Sequence, residues 1–236
     1  MKKIILLLAF CLSVGNLFAQ DANADKLREE GDAAMTAKNY PEVVAKYSEY
    51  LKLTNYEDES RVFNCAFAAY NAKKYDDAIK FYDMAIQKGY KTDDAYVGKA
   101  MSLRSQDKAA DFTATVEAGL KANAQNANLE KLLYAYCMKK GQAAQKAGKT
   151  EEAEELFKDV LVVGNAKYKG NALYSLGVMF YNAGAKILAD ANPIATSDPD
   201  KYAAEKKKAD AQMAKAKGYL EQAIALNAAD ANSKKI

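Results

Sequence analysis

Three features of this 236-residue chain predict an all-α fold of helix pairs repeated in series. The stretch from Asn71 to Ile86 sets Tyr75, Ala78, Tyr82 and Ala85 three or four residues apart, so they share one helical face, and it leaves Asp76, Asp77, Lys80 and Asp83 to water. The pattern recurs at a spacing of 35 residues, from Tyr40 to Tyr75 and from Tyr47 to Tyr82, as expected of a paired-helix array. Half of the residues are hydrophobic. A single amphipathic helix cannot bury its own stripe, so neighbours built the same way must cover it.

Lys2 and Lys3, the apolar run from Ile4 to Val14 and the small-residue end at Leu17-Phe18-Ala19 match the regions of a secretory signal peptide over residues 1–19. Cleavage is expected after Ala19, with Ala22-Asn23-Ala24 as a second site. Cys11 invites a lipoprotein reading. Bulky Phe10 precedes it and little apolar run remains before it, so lipidation is not expected. The mature chain is expected in the periplasm.

The first helix spans Ala24 to Ala37, and Asn39, a good N-cap, with Pro41 in the first turn opens a second that carries Tyr40, Val43, Tyr47 and Tyr50. Ser60 to Asn71 forms the next, followed by the opening stretch, which Gly89 closes. A third pair runs from Ala95 to Ser105 and from Lys108 to Leu120, with Phe112, Val116 and Leu120 on its stripe. The fourth comprises Leu129 to Lys146, a polar turn with Thr150 as N-cap, and a helix carrying Ala153, Phe157 and Val160 that Gly164 ends. The fifth starts at Asn171 to Gly184, is interrupted by an insertion at 189–200 containing Pro193 and Pro199, and closes with a long helix from Lys201 to Asn227. Residues 229–236 read as a flexible tail. Cys65 and Cys137 fall on apolar helical faces, where free cysteine acts as a small hydrophobe.

Composition narrows the chemistry. The net charge of +3 falls to +1 without Lys2 and Lys3, and both signs are interspersed, which makes no case for nucleic acid. There is no histidine, the commonest general base and zinc ligand. Lys149-Thr150 faintly resembles the end of a phosphate loop, but the glycine spacing before it is wrong. Neither a catalytic constellation nor a cofactor or metal site is expected.

These residues resemble the tetratricopeptide repeat, a pair of antiparallel helices of about 34 residues that stacks into a right-handed superhelix. The resemblance covers residues 24–228 in about five units, roughly 24–55, 59–90, 93–124, 128–165 and 168–228. The family places a small residue where the two helices of a unit approach most closely, and Gly31, Ala66, Ala100, Gly141 and Gly177 stand there. The position of its aromatic on the second helix falls on Tyr47, Tyr82, Val116, Phe157 and Leu220. The proline that usually closes each unit is absent.

The resemblance implies a concave groove lined by the first helices. Carried over, the groove residues are Arg28 and Asp32 in the first unit, Phe63, Phe67, Tyr70 and Asn71 in the second, and Val97, Met101 and Arg104 in the third. Met138, Gln142 and Gln145 follow in the fourth, and Tyr174, Val178, Tyr181 and Asn182 in the fifth. Aromatics, methionines and amides suit a peptide. The family's clamp for a chaperone's C-terminal carboxylate is not implied, because Arg28 and Asp32 replace its lysine and asparagine. The expected function is a non-enzymatic protein- or peptide-binding scaffold of the bacterial cell envelope. Two alternatives stay open: a self-associating structural subunit of an envelope complex, and an enzyme or glycan-binding subunit.

Overall fold

The structure is a computed structural model that describes residues 21–233, with side chains up to Leu226. The leader expected at 1–19 lies outside the described residues, as do 234–236. Within them the regular structure is helical: α1 (21–36), α2 (Tyr40–Leu53), α3 (Glu59–Asn71), α4 (Tyr75–Gln87), α5 (Thr92–Ser105), α6 (Ala109–Ala122), α7 (Ala127–Lys146), α8 (Thr150–Asp159), α9 (Ala166–Ala191) and α10 (Pro199–Ser233). A 3-10 turn follows α8 at Val160–Val162 and another follows α9 at Asn192–Ile194. The chain divides into two compact units within α6, between Val116 and Glu117.

In the N-terminal unit, consecutive helices pack on one another around Val43, Tyr47, Leu51, Val62, Cys65, Ala78 and Phe81. The pattern behind this core is the periodic stripe of each helix: α4 turns Ala78, Phe81, Tyr82 and Ala85 inward. In the C-terminal unit α7 packs on α8, and α9 lies along α10, with Ala153, Phe157, Leu176, Phe180 and Ala216 at the centre. Cys65 and Cys137 are free thiols, buried one in each unit.

The expected close approaches within a unit occur. A Cβ on Gly31 would lie 2.4 Å from the Tyr47 ring, one on Gly141 2.6 Å from Phe157, and one on Gly177 2.6 Å from Leu220. The sequence reading omitted Gly98, whose Cβ would come within 2.1 Å of Tyr82.

Some boundaries differ. Lys149, not Thr150, is the residue before α8, so Thr150 opens the helix instead of capping it. Gly164 does not terminate α8; the chain leaves helical geometry at Val163, ψ 151°, and the buried Glu130 carboxylate accepts the N–H groups of Gly164 and Asn165. The insertion at 189–200 lengthens its neighbours: α9 reaches Ala191, and Pro199 occupies the first position of α10, where its missing N–H costs nothing. Residues 229–233, placed in a tail from the sequence, continue α10.

The turns inside the helix pairs repeat one device. Lys38, Lys73, Asp107 and Gly148 have φ of 56°, 60°, 56° and 74°, and each following N–H reaches back five residues, as in Lys74 to Ala69 O at 2.8 Å. This is a Schellman ending, which favours glycine because a Cβ is strained there. Lys73→Gly is therefore expected to stabilise the chain by about 0.5–1 kcal/mol, the strain relieved exceeding the extra freedom glycine gives the unfolded chain. Thermal melts of the variant against wild type check this.

Candidate functional site

The expected site residues lie on the first helices of the pairs, and their exposure sorts them. Phe67, Tyr174 and Tyr181 are 42%, 61% and 54% exposed, three of the five large hydrophobic side chains most open to solvent among the described residues.

On α3, Phe67 meets Tyr40 edge-on at 5.9 Å and keeps its outer face open. Asn71, one turn on, is exposed and donates to the Phe67 carbonyl at 2.8 Å. Phe63 and Tyr70 are half-buried and serve packing: Phe63 stands edge-on to Tyr82 at 5.8 Å under the Lys91 ammonium, and Tyr70 leans on Tyr75 at 5.8 Å. Arg28 pairs with Asp25 at 3.1 Å, while Val97, Met101 and Arg104 on α5 are half-buried.

Asp32 is committed internally. It accepts from Tyr47 Oη at 2.5 Å and from Arg61 Nη2 at 2.8 Å, joining α1, α2 and α3. Burial raises its pKa, but the hydrogen bonds from Arg61 and Tyr47 and the Arg61 charge outweigh this and hold the carboxyl below its usual range. Arg61 also reaches Asp58, the N-cap of α3, which Tyr50 Oη bonds at 3.1 Å. Sequence reasoning missed this network, since no periodic signal marks Arg61.

In the C-terminal unit the face is more open. On α9, Asn171, Tyr174, Val178, Tyr181 and Asn182 fall on one side at helical spacing, and all but half-buried Val178 are exposed. α10 packs on another side of α9, where Leu220 sits over Gly177, Met213 over Gly184, and Tyr219 stacks on Phe180 at 5.7 Å. The long last helix thus leaves Tyr174 and Tyr181 uncovered. Against α7, Tyr168 stacks on Tyr134 at 4.3 Å and Asn171 Nδ2 donates to Tyr134 Oη at 2.9 Å, a clasp that no sequence pattern marked. On α7 itself Gln142 is exposed, Gln145 is half-buried, and Met138 packs partly against the core.

One carboxyl stands apart. Burial first, then the negative charges of Glu117 and Glu155, push Asp159 up to about 6. Its unfolded value is about 3.9, so between about pH 4 and 6 the folded state holds a proton that the unfolded state releases, and stability falls as pH rises through that window. Asp159→Asn is expected to raise the melting temperature over wild type at pH 7, with the difference vanishing below about pH 4. Melts of both proteins across pH 4–7 check it, since groups shared by both cancel. Among the described residues no group of three or more acidic or cysteine side chains is placed to hold a metal ion.

No family model matches the chain. It superposes on the crystal structure of a TPR repeats protein from Bacteroides fragilis with a TM-score of 0.82 at 45% identity, over 90% of this chain and 95% of that one. It is also 30% identical over 154 residues to Hsp70-Hsp90 organizing protein 1 of Glycine max, a match over 62% of this chain that spans 26% of that curated relative. With helix pairs closed by small residues under buried rings, and a relative of nearly equal extent built from the same repeat, the chain belongs to the tetratricopeptide repeat family.

Proposed function

We propose that this chain is a non-enzymatic scaffold of the bacterial cell envelope that binds a protein or peptide on its first-helix faces. The observation that carries the reading is the pair Tyr174 and Tyr181, two turns apart on α9 and more than half exposed. Rigid aromatics with polar tips are the side chains most often found at the energetic centre of interfaces. Asn182 beside Tyr181 offers an amide to a peptide backbone. The leader read at residues 1–19 supports the envelope.

A photoreactive residue at Tyr174 or Tyr181 should crosslink a protein partner, while the same residue at exposed Glu155 on α8 should not. The captured partner should then bind Tyr174→Ala/Tyr181→Ala at least about tenfold more weakly. Capture at Glu155 with none at either tyrosine would remove the reading. For the location, the protein recovered from a periplasmic fraction should begin after Ala19; a chain retaining Lys2 and Lys3 counts against export.

A further inference from the structure

On the two first helices of the C-terminal unit lysines outnumber carboxylates. On α7 the exposed charged side chains include Lys131, Lys139 and Lys146, and on α9 Lys167 and Lys186. The α7 carboxylate, Glu130, is 7% exposed and spent on the backbone N–H groups of Gly164 and Asn165. On α9 the exposed Lys186 and Asp190 lie one turn apart, about 120° and 160° around the helix from Tyr174, so neither belongs to its face and Lys167 is the charge that does. None of those five lysines holds an ion pair among the described residues.

The bias is local. In the N-terminal unit the first helices mix signs, with Glu59 and Arg61 on α3 and Asp93, Asp94, Lys99 and Arg104 on α5. Within the C-terminal unit the acidic side chains lie mainly on the other helices, as Glu151, Glu152, Glu154 and Glu155 on α8 and Asp200, Glu205, Asp210 and Glu221 on α10. Lysines interspersed with tyrosines are therefore a property of the α7 and α9 face, not of the chain, whose overall charge is only +3.

Geometry makes the face continuous. The Tyr134–Tyr168 stack and the Asn171 bond to Tyr134 hold α7 and α9 side by side. Lys167, Tyr174 and Tyr181 repeat every seven residues, a step of about 10.5 Å along one side of α9. An anchored segment would meet the Lys167 ammonium one step before Tyr174. Each exposed pair contributes little, but several lysines of one sign steer a partner of opposite charge and reject one of like charge.

We propose that the ligand of the α7/α9 face is an acidic peptide segment, recognised through side-chain carboxylates by Lys131 and Lys167 and through apolar side chains by Tyr174 and Tyr181. This rests on the reading that the face binds a peptide, and it specifies the peptide's chemistry.

The test is selection of a random dodecapeptide display library, with capped C-termini, on the immobilised full chain. The recovered pool should carry an excess of Asp and Glu over Lys and Arg relative to the input. Its binding should fall at least about tenfold for Lys131→Glu/Lys167→Glu and for Tyr174→Ala/Tyr181→Ala, and with added salt, but not for Lys207→Glu on α10. Circular dichroism confirms that these surface variants fold. A neutral or basic pool that still needs the tyrosines overturns the acidic ligand and leaves the binding face standing. A pool no larger than on bare support overturns both. Sedimentation of an oligomer that the lysine reversals dissociate would assign the face to a second copy and overturn the proposal.

Discussion

Tyr47→Ala is expected to destabilise the N-terminal unit by about 3–5 kcal/mol, the range for removing a large buried aromatic side chain. The ring is 1% exposed and lies directly over Gly31, which has no side chain to move into the space. Its hydroxyl is the second anchor of Asp32, whose other partner is Arg61. Tyr47→Phe separates the two contributions: it keeps the ring and removes one charge-assisted hydrogen bond, with an expected loss of about 1.5–3 kcal/mol, cushioned by Arg61. Urea titrations followed by circular dichroism rank the variants, and hydrogen exchange should localise the loss to α1, α2 and α3. Equal losses for Phe and Ala would mean that the hydroxyl, not the packing, carries the site.

Gly141→Leu is expected to cost the C-terminal unit more than about 3 kcal/mol, because overpacking a closed core costs about 1–3 kcal/mol even for small additions. The opposing effect is helix propensity, which favours leucine or alanine over glycine by up to about 1 kcal/mol. Sterics win here. Phe157 is fully buried among Ala153, Leu176 and Phe180, and it has no room to turn away from a Cβ at 2.6 Å. Gly141→Ala should show the same sign at about 1–2 kcal/mol. Phe157→Leu, which opens the space, should recover part of that loss in the double variant, and calorimetric melts of all four proteins close the cycle.

The interior was legible because it is encoded locally. Aromatic and small residues at helical spacing, repeated after 35 residues, fix which faces meet, and the buried set of Tyr47, Tyr82, Val116 and Phe157 follows from that alone. What escaped depends on pairings with no period. Arg61 and Asp32, or Glu130 and the Gly164 turn, are polar partners 29 and 34 residues apart that only the folded chain brings together. The insertion read as a break because Pro193 and Pro199 interrupt the helical pattern, yet one sits in a 3-10 turn and the other starts a helix. For the site, family position put Phe63, Phe67, Tyr70, Tyr174 and Tyr181 together. Their different fates follow from neighbours: Tyr82 and Tyr75 occupy Phe63 and Tyr70, and nothing among the described residues covers Tyr174 and Tyr181.

The two buried thiols make the compact units separately observable. Burial pushes Cys65 and Cys137 up to about 12, and their cores exclude reagent, so each is chemically silent until its own unit opens. A maleimide pulse followed by peptide mass mapping then reads the opening around each thiol in one unmodified sequence. Tyr47→Ala should quicken the first and Gly141→Leu the second.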